Sequence, residues 1–146
     1  MSDQRGNPDV TVEELQGRLD GTFPGDLGIE PLEIELDHSR GRLLVDARHL
    51  HPGGFVHGGV WAALADTVAA WGTLRNLPPG HDFTTVELKL NVFAAGRAGD
   101  ELVATAEPRH VGSRTHVWIV DIHRGERQVA MFTLTQFVIA PSAGRE

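Results

Sequence analysis

Residues 57–74, HGGVWAALADTVAAWGTL, restrict what this chain can fold into more than any other stretch. From Val60 to Leu74 every residue is apolar or Ala except Asp66, Thr67, Gly72 and Thr73, and Asp66 is the only charge. A run over 60–75 with Gly72 as its one breaker is too long for a typical strand and fits a helix. A helix that is apolar nearly all round has to be enclosed by other elements. Leu77-Pro78-Pro79-Gly80 stops it. Burying an unpaired carboxylate is costly, so such a group is paired, shifted in pKa or retained for function.

The enclosing elements read as strands. Thr11 followed by Glu14 is a capping-box pattern that opens a short helix over about 12–19. Leu32, Ile34 and Leu36 alternate with Glu33 and Glu35, which predicts a strand within 27–36. Gly41 turns the chain and 42–48 returns. In 85–92, Val86, Leu88, Leu90 and Val92 fall on one face and Thr85, Glu87, Lys89 and Asn91 on the other. Gly96 to Asp100 is a turn, and 101–111, 114–123 and 128–139 are three more strands. Short loops favour antiparallel pairing. The expected fold class is α+β, with five or six antiparallel strands curled around one long apolar helix. The expected organisation is an N-terminal tail and short helix over 1–24, one domain over 25–140 and a C-terminal tail over 141–146.

The chain has 146 residues, enough for one core, and a net charge of −7 that makes non-specific nucleic-acid binding a poor fit. It has no cysteine, which excludes disulfides, thiolate metal sites and a cysteine nucleophile. The N-terminus lacks a secretory pattern and no apolar run is long enough to span a bilayer, so a cytoplasmic location is expected. His49, His51 and His57 do not form a zinc-ligand spacing, and no metal is expected. There is no G-x-S-x-G, dinucleotide or Walker pattern.

His57-Gly58-Gly59 opens the long helix. Two glycines leave backbone N–H groups uncovered, and a helix start favours a carbonyl oxygen that is becoming negative. The same glycines would also serve tight packing of the helix on a sheet. Asp66 lies eight residues after Gly58, about 12 Å along a helix axis. One bound carbonyl cannot reach both groups in a straight helix. Two such helices packed antiparallel about a two-fold axis would bring Asp66 of one chain toward Gly58 of the other.

His51-Pro52-Gly53-Gly54-Phe55-Val56-His57-Gly58-Gly59-Val60, followed by Ala63-Leu64-Ala65-Asp66-Thr67 and the strand beginning Thr85-Val86-Glu87, resembles the hotdog-fold acyl-CoA thioesterases over about residues 25–140. The phenylacetate-pathway type and its 4-hydroxybenzoyl-CoA thioesterase relatives are the nearest in pattern. The resemblance implies a hotdog fold and hydrolysis of an aryl- or acyl-CoA to free acid and CoA, without a metal or redox cofactor. Coenzyme A is then part of the substrate. It implies Asp66 as nucleophile or as base on water, the Gly58 amide as the group that polarises the thioester carbonyl, His57 as a positioning group and Thr85 beside the attacking water. Family members commonly carry Asn or Gln where this chain has His51, whose imidazole N–H can donate a similar bond. Gly59, Arg97, Arg109, Gly112, Ser113 and Arg114 are the candidates for substrate and CoA binding. Sites shared across a homodimer, with dimers paired into tetramers, are also implied. Phe55, Trp61 and Trp71 could line an acyl pocket, although large apolar groups beside a buried helix are more often core. A hotdog protein that binds or senses acyl-CoA without turnover is the alternative, and a hydratase on the same fold is a third reading.

Overall fold

The computed structural model describes residues 5–142. In chain order the elements are α1 (Val12–Gly17), α2 (Phe23–Leu27), β1 (Glu30–Ile34), β2 (Ser39–Leu44), α3 (Gly58–Asn76), β3 (Asp82–Val92), β4 (Glu101–Val111), β5 (Thr115–Arg124) and β6 (Arg127–Ile139). All six strands form one antiparallel sheet in the order β1-β2-β4-β5-β6-β3. The expected sheet and central helix are both present. No helix among the described residues is long and apolar enough to cross a membrane.

The helix α3 runs as the apolar pattern requires, capped by His57 at its start and by Leu77, ahead of Pro78, at its end. Val60, Trp61, Leu64, Ala65, Val68, Ala69 and Trp71 are buried against the sheet. Enclosure is not complete, however. Ala62, Asp66, Ala70 and Leu74, one turn apart along a single face, stay only half-buried. Six strands cover three sides of one helix and leave this stripe open.

Two close approaches set how deeply α3 sits. A methyl group added at Gly72 would come within 2.5 Å of the Trp118 ring and 3.0 Å of the Ser39 hydroxyl, and one at Gly41 would meet Val68 and Trp71. Ser39, fully buried, donates from Oγ to the Val68 carbonyl at 2.6 Å. This bond ties β2 to the middle of α3.

Several local readings need correction. The strand expected within 27–36 is shorter, because Thr22 caps α2, with Pro24 in its first turn and Gly28 left-handed at its end. The turn expected at Gly41 falls earlier, where the Glu35 N–H donates to the His38 carbonyl, so Gly41 lies within β2; the strand expected over 42–48 ends at Leu44, and Ala47–His49 is a 3-10 turn capped by Asp46. In β3 the register shifts between Thr85 and Glu87, so Val86 is an extra residue. Thr85 pairs with Gln136 and Leu88 with Leu134, two residues apart on β6, so Thr85 shares a face with Leu88 and Leu90. Strict alternation had placed them on opposite faces.

Of the tail and short helix expected over 1–24, residues 1–4 lie outside the described residues; in the rest, Val10, Leu15 and Leu19 join the core, and the Asn7 backbone N–H donates to the Arg75 carbonyl at 2.8 Å. Of the tail expected over 141–146, residues 143–146 lie outside the described residues.

Two outcomes follow from this packing. Gly72→Ala adds a methyl against Trp118, an overpacking cost of about 1–3 kcal/mol, offset by roughly 1 kcal/mol of helix propensity. Urea unfolding should show a net loss of stability. Burial pushes the imidazole of His116 below its ordinary 6.5, against a raising contribution from the Gly112 backbone. The unfolded chain then takes up that proton first, so this contribution is full above about pH 6.5 and declines as pH falls below it. His38, raised by hydrogen bonds to Glu33 and Asp37, acts in the opposite sense: its stabilisation is full below 6.5 and is lost as pH rises through its raised value. The stability difference between wild type and His116→Asn, in which His38 cancels, should therefore shrink in favour of the variant between pH 7 and pH 5.

Candidate active site

The helix start is built by its cap. His57 Nδ1 accepts the Gly59 N–H at 2.8 Å, and the His57 carbonyl accepts from Val60 at 2.9 Å and Trp61 at 3.4 Å. Among the described residues the Gly58 N–H has no hydrogen-bond partner, and the turn that carries it is exposed. A Cβ at Gly58 would meet nothing within 4 Å, so tight helix–sheet packing does not require glycine there. Space at Gly58 is open toward whatever approaches from outside the chain.

Two turns further along, Asp66 sits on the open stripe of α3. Thr85 Oγ1 donates to its Oδ1 at 2.7 Å, and Oδ2 makes no hydrogen bond among the described residues. This contact exists because the extra residue Val86 turns Thr85 toward the helix. Behind Thr85 lies the Gln136 amide, whose Nε2 is 3.5 Å from Thr85 Oγ1. Gln136, Thr73 and His116 are buried polar groups, as are Ser39 and His49 elsewhere in the core. Gln136 and Thr73 were not among the expected site residues. The available signal was Gln136 itself, which interrupts the inward-facing series Ala130, Phe132, Leu134, Val138 on β6.

The loop before α3 forms a second cluster. His51 Nδ1 accepts the Gly53 N–H at 2.9 Å, which leaves Nε2 as the donor. The His51 ring lies edge-on to Phe55, with centroids 5.8 Å apart, and the Arg97 guanidinium carbon lies over the same Phe55 ring, 4.6 Å from its centroid. The Val56 amide donates to the Gly96 carbonyl at 2.9 Å, which keeps the Arg97 turn beside this loop. Phe55 is half-buried here, while Trp61 and Trp71 are core. His49 is fully committed: its Nδ1 accepts the Asp46 N–H at 2.9 Å, and its Nε2 donates to the Leu27 carbonyl at 2.7 Å. It has no lone pair left for a metal.

The expected residues thus fall in three places. His51, His57, Gly58, Gly59 and Arg97 lie at the N-terminal end of α3, and Asp66 with Thr85 lies mid-helix. Arg109, Gly112, Ser113 and Arg114 lie on or beside the β4–β5 turn, which with Asn76 and Leu77 at the far end of α3 borders a cavity of about 740 Å³. The two ends of α3 are about 27 Å apart at 1.5 Å per residue. Arg109 also pairs with Glu107 at 3.7 Å, an exposed contact of small energetic weight. One chain does not gather the three groups into a single site.

Comparison with known proteins bears on this arrangement. The model of the Thioesterase superfamily matches residues 53–131, which cover most of the glycine loop, α3, β3 to β5 and the start of β6. A 1,4-dihydroxy-2-naphthoyl-CoA hydrolase of Listeria monocytogenes is 33% identical over 96 residues, covering 66% of this chain and 77% of that protein. The crystal structure of thioesterase HI1161 from Haemophilus influenzae superposes with a TM-score of 0.86 at 28% identity, covering 93% of this chain and 95% of that one. The PaaI protein of the Escherichia coli phenylacetic acid degradation operon superposes with a TM-score of 0.79 at 25% identity, covering 88% and 93%. With its six-stranded sheet on one long helix and its match through the glycine loop, this chain belongs to the hotdog Thioesterase superfamily and is a thioester hydrolase.

Proposed function

We propose that the protein hydrolyses the thioester of an acyl-coenzyme A, aryl acyl groups first among the candidates, to the free acid and coenzyme A. The observation that carries this reading is the half-buried Asp66, with one carboxylate oxygen held by Thr85 and the other open on the uncovered stripe of α3. A thioester carbonyl is reactive and its thiolate leaves readily, so a polarising donor and an oxygen nucleophile suffice. Asp66 either attacks the carbonyl carbon itself, giving a mixed anhydride that water then hydrolyses to the free acid, or takes a proton from a water whose oxygen attacks. The C–O bond forms, the C–S bond breaks, and the thiolate is protonated on release. The Gly58 N–H stabilises the developing oxyanion, a kind of contact worth about 2.7–4 kcal/mol of barrier in other enzymes. His57 fixes the helix start and His51 Nε2 donates to the thioester or the water. Coenzyme A enters as part of the substrate, and neither metal nor redox cofactor takes part. The aryl preference rests on the naphthoyl-CoA named for the Listeria relative.

The separation of Gly58 from Asp66 makes the site one shared between two copies. Its support is the state of β3, which ends the sheet with one edge unpaired. On or beside that edge Val86 is 59% exposed, Leu88 43%, Val92 42% and Phe93 54%. A long edge carrying apolar side chains is a pairing surface. Two copies joined there about a two-fold axis set their α3 helices antiparallel. Asp66 of one then faces Gly58 of the other, and the β4–β5 turn of one approaches the glycine loop of its partner. Arg97, Arg109 and Arg114 then lie where CoA phosphates would be met, with Gly59, Gly112 and Ser113 giving backbone access. Pairs of dimers complete the assembly.

Thiol release from a panel of aryl and aliphatic acyl-CoAs tests the chemistry. Asp66→Asn, folded and of unchanged oligomeric state, should lose about 10²–10⁴-fold in kcat. Full activity in that variant, or inertness of the wild type across the panel, would sink the reading. Mixing tests the sharing. Asp66→Asn and Gly58→Val are each expected to be inactive alone. Subunit exchange between them should restore up to about a quarter of wild-type activity, because half of the dimers then hold one intact site of two. If no activity returns although mixed dimers form, each chain builds its own site.

A further inference from the structure

Asp66 is the end of a hydrogen-bond chain that starts in the core. Trp118 Nε1 donates to Thr73 Oγ1 at 2.8 Å, and His116 Nδ1 lies 3.3 Å from the same oxygen. Thr73 Oγ1 donates to Gln136 Oε1. Gln136 Nε2 then faces Thr85 Oγ1 at 3.5 Å, and Thr85 Oγ1 donates to Asp66 Oδ1 at 2.7 Å. Thr73, Gln136 and Trp118 are fully buried.

The direction of this chain follows from counting protons. An indole N–H can only donate, and a hydroxyl has one proton to give. With Trp118 occupying one lone pair of Thr73, the Thr73 proton goes to Gln136 Oε1, which lies nearer than His116 Nδ1 at 3.3 Å; the His116 nitrogen then takes the donor role toward the second lone pair. That fixes which way the Gln136 amide is turned. Its NH₂ group faces Thr85 and offers no acceptor there. The single Thr85 proton therefore goes to Asp66. Were the amide turned over, Oε1 would face Thr85 and compete for that proton.

We propose that Gln136, held by Thr73 and Trp118, is a positioning residue for the hydrolysis: it directs the Thr85 hydroxyl proton onto Oδ1 of Asp66 and so leaves Oδ2 to the water or the thioester. This rests on the reading of Asp66 given above. Gln136 touches no substrate and acts through Thr85. The buried polar chain is costly to maintain in an apolar core unless every member is satisfied, and its members lead to one solvent-facing group.

The test is a double-mutant cycle on thiol release, using the best acyl-CoA of the panel, with Gln136→Met, Thr85→Val and the double variant beside wild type. Circular dichroism melts confirm that each is folded. Gln136→Met is expected to lower kcat about 5- to 50-fold with KM within about twofold, a coupling of ordinary size for contacting residues. Thr85→Val should do the same, and the double variant should be no slower than Thr85→Val alone. Equal factors for Gln136→Met in both backgrounds would overturn the proposal, as would an unchanged kcat in either single variant. Should Gln136→Met not fold, Thr73→Val and Thr73→Ser replace it. A fall in kcat with Val that Ser restores supports the chain, and equal rates for the two refute it. Asp66→Asn separates the two ideas: if it is dead while Gln136→Met is neutral, only the positioning role fails.

Discussion

The seating of α3 against the sheet is the constraint on which the other features depend. Gly72 lies on the Trp118 ring and Gly41 lies under Val68 and Trp71, so the helix approaches the strands more closely than side chains of ordinary size would allow. The Ser39 bond to the Val68 carbonyl fixes the same depth through a polar contact. At this depth Thr73 reaches Trp118 and Gln136, and Asp66 reaches Thr85 across the edge of the sheet. A helix seated further out would lose the polar chain and leave Asp66 merely exposed.

Chemistry in this fold is arranged along one helix and its immediate neighbours. The helix start offers an unsatisfied N–H with open space around it, and the middle of the helix offers a carboxylate on an uncovered stripe. The distance between them is a fixed property of the α-helix. A straight helix therefore keeps the two groups too far apart to meet on one carbonyl within a single chain. In the sheet, the β3 edge is unpaired and carries exposed apolar side chains, while the opposite edge at β1 is packed by α1.

Much of this was legible in the residues. The length and composition of 60–75 require a largely enclosed helix, and four later strands and their antiparallel pairing are readable from alternation and short turns, whereas the placement of β3 beside β6 rather than β4 is not. The glycine loop and Asp66 stand out because each breaks the pattern around it. Other features were hidden for definite physical reasons. The Val86 bulge leaves no mark in an alternating run, yet it moves Thr85 from one face to the other. The 3-10 turn at Ala47–His49 looks like the continuation of a strand, because its cap is made by Asp46 and by a histidine whose second nitrogen bonds 22 residues away.

By itself, then, the sequence determined the central helix, the antiparallel sheet around it, the family and the carboxylate, since these depend on local periodicity and on residue types close together in the chain. Tertiary structure alone decided which side of β3 meets the helix, which polar groups stand behind Asp66, and that the loop at one end of α3 and the turn at the other stay apart within one chain. Those outcomes depend on register, on seating depth and on hydrogen-bond partners distant in sequence: Thr73 and Gln136 are 63 residues apart, and Thr85 and Asp66 meet only because β3 folds back along α3. Periodicity carries no information about such pairings, because it states which face a residue occupies and not what stands opposite.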